Sequence, residues 1–560
     1  MPMPSRIRPS RSVLQFLMPI WLLCSGAFLF PFSAASQATG VREADVSCAH
    51  CHAEIYRKYL ETPMANASGP AIDKLRADTF VHKPSSVEYK ILRSHDQATL
   101  AYRSQTKPAD QGEFQLNYFL GSGHLGTTYL YFIDDYLFES PVAWYAASGS
   151  YDMKPGLEDM REMPPPLPMQ SNCMRCHMSS VQPSEPGTIN HYRGLPFLHA
   201  GITCESCHGD SQQHVLTHGK AAIVNPVRLN ADGRDSVCIS CHLEGDITVE
   251  RAGHSALNYH PGESISTYLA YYVRTGADLT ARGVSEVEQL SQSTCKRTSG
   301  DRMSCMSCHD PHFTPSASEC AAFYRSKCLA CHRDLQFAAT HHPENPDCTS
   351  CHMPQNGAKN IVHVAWTDHR IRRIPEPTKS NYLGDTNIEL MPIFSPGATK
   401  RDGAMAYYQA LLEDGRSFEP AAWQGLTEVR DSIANDKEAL DALGNLGAER
   451  GDTQIAEQSF KRVLELDPRD LTALSNLGTL LAKQGKLNEA ITLLRTAFEN
   501  NHDIPGLAMN LARVECMAGD AASAQGTLRA AMTYAPDLED MRQLLSHVTV
   551  CSDRRVGKTQ

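Results

Sequence analysis

One five-residue pattern, Cys-x-x-Cys-His, recurs seven times in this 560-residue chain, and no Cys-x-x-Cys occurs without the histidine. The copies, numbered here as pentads 1 to 7, are Cys48/Cys51/His52, Cys173/Cys176/His177, Cys204/Cys207/His208, Cys238/Cys241/His242, Cys305/Cys308/His309, Cys328/Cys331/His332 and Cys348/Cys351/His352. They take up fourteen of the nineteen cysteines. A redox dithiol demands no adjacent histidine, zinc sites draw their ligands in sets of four, and a disulfide lattice leaves the histidines without a role. Two thiols one helical turn apart can both reach one edge of a haem, and the next residue is then held over the iron. The pattern therefore calls for seven covalently attached haem c groups, with the fourteen cysteines as attachment points and the seven histidines as proximal ligands.

That cofactor load limits what the first part of the chain can fold into. Over residues 37–385 it amounts to roughly one haem per 50 residues, a density at which macrocycles replace side chains as core material. Pro- and Gly-rich stretches such as Met163-Pro-Pro-Pro-Leu-Pro and Pro183 to Gly187 agree with sparse regular structure. Only the 120 residues between pentads 1 and 2 alternate apolar and polar positions, in Val87–Leu92, Ala98–Arg103, Phe114–Phe119 and Thr127–Phe132. The expectation is a mainly α protein: an irregular haem-packed N-terminal domain with a small antiparallel β insertion at about 84–150, followed by an α-solenoid.

The solenoid is read from period. Gly451, Gly485 and Gly519 are 34 residues apart, as are Ala456, Ala490 and Ala524, and Leu443, Leu477 and Leu511. This is the tetratricopeptide repeat (TPR) spacing, in which small alanines let paired helices approach and glycine turns the chain between them. Clear repeats fall at about 437–470, 471–504 and 505–538 within an array of 403–550, with a linker at 386–402 and a tail at 551–560. Such arrays offer a concave surface for a protein or peptide ligand. Cys516 reads as a core position of the array; Cys295 and Cys320, flanking pentad 5, are read either as a disulfide or as two free thiols.

At the other end, Arg6, Arg8 and Arg11 precede an apolar run from Val13 to Phe32, and Ser33-Ala34-Ala35-Ser36 supplies small residues for cleavage. Residues 1–36 thus read as a signal peptide, with an uncleaved anchor as the alternative, and no later segment is apolar enough to span a bilayer. The expected location is periplasmic. Removing three arginines and no acid moves the formal charge from −11 to −14, which argues against a nucleic-acid partner.

Seventeen histidines lie outside the pentads' final position, and fifteen of them precede the array, enough to give every iron a second imidazole. Met178 and Met353 directly follow proximal histidines and cannot reach the opposite face of the same iron. Gly121-Ser-Gly-His124, Tyr129 to Tyr145, Gly201-Ile-Thr-Cys-Glu-Ser-Cys-His-Gly with His214, Cys305-Met-Ser-Cys-His-Asp-Pro-His312 and His363-Val-Ala-Trp-Thr-Asp-His369 resemble the multihaem cytochromes of the cytochrome c-554-like family fused to TPR repeats. The resemblance implies that histidines just after one pentad ligate a neighbouring haem. It points to His214, His312, His363 and His369 as distal ligands, together with His82 and His124. A seventh would come from His254, His260, His341 or His342, or one iron would stay open.

Together these readings imply an exported heptahaem cytochrome that transfers electrons between redox partner proteins, the TPR array docking it to them, with no catalytic acid or base. The alternative is a multihaem oxidoreductase acting on a small nitrogen or sulfur compound at one open iron. No pentad ends in the lysine that often marks such an iron in multihaem nitrite reductases.

Overall fold

The computed structural model describes residues 38–275, 284–333, 341, 345, 347–357, 365–373, 389–549 and 551. The signal peptide, His342 and His363 lie outside the described residues.

Between pentads 1 and 2 the chain builds a sheet of ten strands: β1 (Ser68–Pro70), β2 (Asp78–His82), β3 (Val87–Ser94), β4 (Gln97–Ser104), β5 (Gln111–Leu120), β6 (Gly126–Ile133), β7 (Tyr136–Glu139), β8 (Val142–Tyr145), β9 (Ser150–Met153) and β10 (Leu167–Pro168). Its main path runs β9-β8-β6-β5-β4-β3-β2, all antiparallel, with β1 beside β5 and the β7–β10 pair beside β6. Tyr89, Tyr102, Tyr129, Tyr131, Phe138 and Trp144 fill one contiguous core on it.

This corrects the expectation of a mainly α chain with a small β insertion. The N-terminal part is β-rich, and its sheet reaches from residue 68 to residue 168. The physical reason lies in burial. β3 and β4 are half-buried and show their period of two, whereas Val142–Tyr145 is buried at every position and Tyr136-Leu-Phe at three in a row. A strand covered on both faces has no alternation to read.

Shorter sheets tie the pentads together. Thr39–Gly40, before pentad 1, runs parallel to His199–Ala200, before pentad 3, and Met178–Val181, directly after pentad 2, pairs antiparallel with Phe197–Ala200. Ile247–Glu250, following pentad 4, pairs with Leu269–Arg274, which pairs with Leu390–Ile393. Gln355–Gly357, following pentad 7, pairs with Ala365–Thr367.

From Lys400 the chain is helical. Antiparallel hairpins form from Lys437–Arg450 with Thr453–Leu466, Leu471–Lys483 with Leu487–Asn500, and Pro505–Ala518 with Ala521–Ala531, and Glu539–Val548 closes the stack. Gly451, Gly485 and Gly519 have φ of +81°, +80° and +84°, the left-handed conformation that lets each first helix stop and reverse. A Cβ on Gly444 would lie 2.6 Å from the Phe460 ring, and Ala456, Ala490 and Ala524 are fully buried, so small residues set how closely the helices pack. Cys516 is not simply a core residue: it forms a disulfide with Cys551, tying the end of the chain to the last hairpin.

The array is bonded to the sheet. Tyr102 Oη donates to Asp537 (2.6 Å), Tyr534 Oη to Asp134 (2.8 Å), Tyr136 Oη to the Asn500 carbonyl (2.9 Å), and the Asn501 amide to the Gly187 carbonyl (2.9 Å). Arg542 bridges Asp110 (2.8 Å) and Asp537 (2.9 Å), and Tyr534 belongs to the sheet's own core.

Candidate metal centre

Each pentad occupies about one helical turn. In pentads 3, 5 and 6 the histidine amide donates to the carbonyl of the first cysteine four residues back, at 2.9, 2.9 and 3.0 Å. The local geometry is thus the one the spacing demands: two thiols one turn apart and the imidazole following. The strands deliver these turns to one another. Ser68, on β1, donates to the His177 carbonyl (2.8 Å) and accepts from the Gly201 amide (2.7 Å), linking pentad 2 to the approach of pentad 3. The buried Asp45 carboxylate accepts from the Cys204 amide (2.8 Å), joining the segment before pentad 1 to pentad 3.

Thiols of different pentads come into contact: Cys48 with Cys204, Cys176 with Cys241, Cys238 with Cys305, and Cys328 with Cys348. Pentads 1 and 3, 2 and 4, 4 and 5, and 6 and 7 therefore stand side by side. A cavity between pentads 6 and 7 is lined by Cys328, His332, His341, Cys348, Cys351 and His352.

The pentad thiols differ in exposure. Cys51, Cys173, Cys331 and Cys351 are exposed. The cause is local. Cys51 sits in the helix Val46–Tyr59, where residues 50–55 are all exposed, and Cys331 falls in a stretch, 330–333, that is exposed throughout. The thiol contacts between pentads involve the first cysteines of pentads 1 and 6, Cys48 and Cys328, and not Cys51 or Cys331. The reading of Cys51 and Cys331 as attachment points therefore rests on the Cys-x-x-Cys-His spacing alone. Exposure is compatible with it, since a thioether has only to reach the edge of a macrocycle.

The imidazoles carry the clearest signal. His52 faces His214 with ring centres 6.5 Å apart and planes 12° apart; His208 faces His312 at 6.0 Å and 12°; His309 faces His369 at 6.3 Å and 28°; His341 faces His352 at 5.9 Å and 22°. These gaps are too wide for stacked rings in contact. A metal–imidazole bond of about 2 Å, plus roughly 1 Å from nitrogen to ring centre, taken on both sides of one ion, gives ~6 Å between centres. In each pair one member is the last residue of a pentad.

Orientation agrees. The Nδ1–H groups of His208, His214, His352 and His369 donate to the carbonyls of Val224 (2.8 Å), Ala221 (2.8 Å), Arg372 (2.6 Å) and Thr367 (2.8 Å). Fixing the tautomer this way leaves Nε2 as the ligating atom and fixes the ring plane. Burial, with the neighbouring charges of His369 and His242, pulls His309 down to about 4, so it is neutral, the form that binds metal. His312 and His177 are lowered for the same first reason.

The other candidates are placed differently. His82 is buried with both ring nitrogens committed, Nδ1 to Ser85 (2.8 Å) and Nε2 to the Glu158 carbonyl (2.8 Å), which leaves no nitrogen for iron. His124 is exposed on the loop between β5 and β6. His341, one of four alternatives by sequence, faces His352 of pentad 7. Cys295 and Cys320 are both free thiols, not a disulfide.

The donor set fits haem c: paired thiols on a helical turn, a following histidine, and opposed imidazoles across a metal-sized gap. Fold and site together define a multihaem c-type cytochrome fused to tetratricopeptide repeats, with haem c as its cofactor. Comparison with known proteins agrees. Residues 150–209 match the family of cytochrome c554 and c-prime, and residues 447–509 match the tetratricopeptide repeat family. The multihaem cytochrome MtrA of Shewanella baltica (strain OS185) is 24% identical over 218 residues, which are 35% of this chain and 57% of that protein. The chain thus spans little more than half the length of that relative. Among solved structures, MamA from Desulfovibrio magneticus is 22% identical, covering 28% of this chain and 87% of that one at a TM-score of 0.25. PilF of Pseudomonas aeruginosa is 20% identical, covering 28% and 72% at the same TM-score. Among the described residues no helix is long and apolar enough to cross a membrane.

Proposed function

We propose that this chain is an exported heptahaem cytochrome that passes electrons between protein partners, with the TPR array as its docking element. The observation that carries the reading is the set of four opposed imidazole pairs. Two histidines on one iron close its sixth position to small molecules and favour low potentials. In this reading His52, His208, His309 and His352 are proximal ligands and His214, His312, His369 and His341 their distal partners. Haem c, when bound, supplies a one-electron iron couple at each pentad.

The chain's own residues do the rest. The cysteine pairs fix position, and the backbone carbonyls behind Nδ1 fix ring orientation. The distal histidines stitch alternate pentads together: His214 follows pentad 3 and faces pentad 1, His312 follows pentad 5 and faces pentad 3, and His369 follows pentad 7 and faces pentad 5. With the thiol contacts, this supports a continuous run of neighbouring centres. The N-terminal signal and the Cys516–Cys551 disulfide both suit an oxidising compartment outside the cytoplasm.

In the array, Asn476 donates to Asn445 (2.6 Å), which donates to Tyr408 (2.8 Å), a polar ladder that links Leu471–Lys483, Lys437–Arg450 and the preceding helix Lys400–Asp414. It supports the docking role, since such helices line the recognition face of a stacked array.

The test is the oxidised holo-protein's electron paramagnetic resonance and visible spectra. Low-spin signals throughout, and a reduced form inert to carbon monoxide, are expected. A high-spin iron that binds carbon monoxide rapidly would instead favour the oxidoreductase reading.

A further inference from the structure

Asp368 directly precedes His369, and its side chain is fully buried. Its Oδ1 accepts from the Arg370 amide (2.9 Å) and Arg370 Nε (2.9 Å), and its Oδ2 from Arg370 Nη2 (2.6 Å) and Arg372 Nη2 (2.7 Å). A carboxylate at that depth is tolerated only when so paired, so the segment is bound to a turn that brings both guanidinium groups onto it. Between those two arginines Ile371 has φ of +49°. A β-branched side chain in the left-handed region is strained and persists only where its surroundings over-determine it. The two ion pairs on either side are that constraint.

The main chain of this turn is what touches the imidazoles. The Arg372 carbonyl accepts His352 Nδ1–H (2.6 Å), and the Arg372 amide donates to the His352 carbonyl (3.2 Å). The Thr367 carbonyl accepts His369 Nδ1–H (2.8 Å), while the Asp368 amide is anchored on the Pro354 carbonyl (2.9 Å). The His369 amide donates to the buried Gln289 side chain (2.9 Å). His352 ends pentad 7, and His369 faces His309 of pentad 5. One turn therefore holds a ring from each of two centres.

We infer that Asp368 is a positioning residue that holds His352 and His369 in register at two different irons, so that coordination at pentads 5 and 7 is set jointly. The inference rests on the ligand assignments proposed above. Without the carboxylate, Arg370 and Arg372 lose their shared anchor, Ile371 relaxes, and the carbonyls behind both Nδ1 atoms move. Those carbonyls set imidazole orientation and basicity, and through them spin state and potential.

The experiment compares full-length holo-protein with Asp368→Asn and Asp368→Glu. Low-spin paramagnetic signals are counted and a redox titration is followed by visible absorbance. Asp368→Asn should change the signals and midpoints of two centres together, with a new high-spin fraction, and leave the others as in the parent; Asp368→Glu should recover part of the loss. Unchanged signals, or one uniform shift of every centre, would overturn the inference. If Asp368→Asn does not load haem, Arg370→Gln removes one ion pair and leaves the Arg372 main chain, and the same two centres should respond less strongly; no response there also overturns it. His369→Ala separates the two levels of argument. If it leaves the low-spin count intact, the ligand assignment is wrong; if it lowers the count while Asp368→Asn does nothing, only the positioning role fails.

Discussion

Asp503 stands at the joint between array and sheet, 2% exposed, and neither carboxylate oxygen has a formed hydrogen bond. Asn190 is alongside, but its amide donates to the Leu137 carbonyl (2.9 Å). Burial raises the Asp503 carboxyl from 3.8 to about 6, with Asn190 and the backbone only partly offsetting it. A carboxyl raised in the folded state holds its proton there while the unfolded chain has released it, so stability falls as pH rises from about 4 to about 6. At 1.36 kcal/mol for each unit, the cost above that window is roughly 3 kcal/mol. Asp503→Asn removes the charge at nearly constant volume. It should therefore match the parent near pH 4 and exceed it by as much as about 3 kcal/mol at pH 7.5. The assay is urea unfolding followed by far-ultraviolet circular dichroism, which the helical array dominates, at pH 4.5, 6 and 7.5. Asp441, raised to about 9 by burial and by Asp470, also titrates, but it is present in both proteins and cancels in the difference. A difference that is constant with pH, or a variant less stable at pH 7.5, would refute the reasoning.

Other outcomes follow from particular contacts. Reducing the Cys516–Cys551 bond, which spans 35 residues, or replacing Cys516 by Ser, should cost the array about 4 kcal/mol in denaturant titrations. Gly201→Ala should destabilise by at least about 2 kcal/mol in denaturant titrations, because φ is +77° and the new Cβ would sit 2.3 Å from the Ala65 carbonyl oxygen. His312→Ala should open one iron, read as a single new high-spin species and carbon monoxide binding by one centre.

The pentads stand out in the sequence because the covalent chemistry they imply imposes a short, rigid pattern: two thiols and a histidine in five residues. Their surroundings do not, and the solvent-facing turns that carry Cys51 and Cys331 look the same in sequence as the enclosed turn of Cys238 and Cys241. The repeats were legible because glycines 34 apart all need the same left-handed turn. The sheet was misjudged in extent because Val142–Tyr145 is buried on both faces and gives no alternation. The opposed imidazoles fall between these cases. His214 and His312 closely follow a pentad and face another one, whereas His341 precedes the pentad whose His352 it faces, and no local spacing selects it over His254 or His260. His82 looked equivalent by sequence, but Ser85 and the Glu158 carbonyl occupy both its nitrogens. The disulfide joins Cys516 to a residue beyond the last helix, a pairing that periodicity does not register.

In the proposed function, each of the seven pentads carries haem by thioether bonds. The direct test is the intact mass of the purified, denatured mature protein, measured with the haem absorbance of the same sample. The expected mass is that of the polypeptide plus seven haems, retained through denaturation. A bare-polypeptide mass, or fewer than seven haems on a fully matured sample, would contradict it.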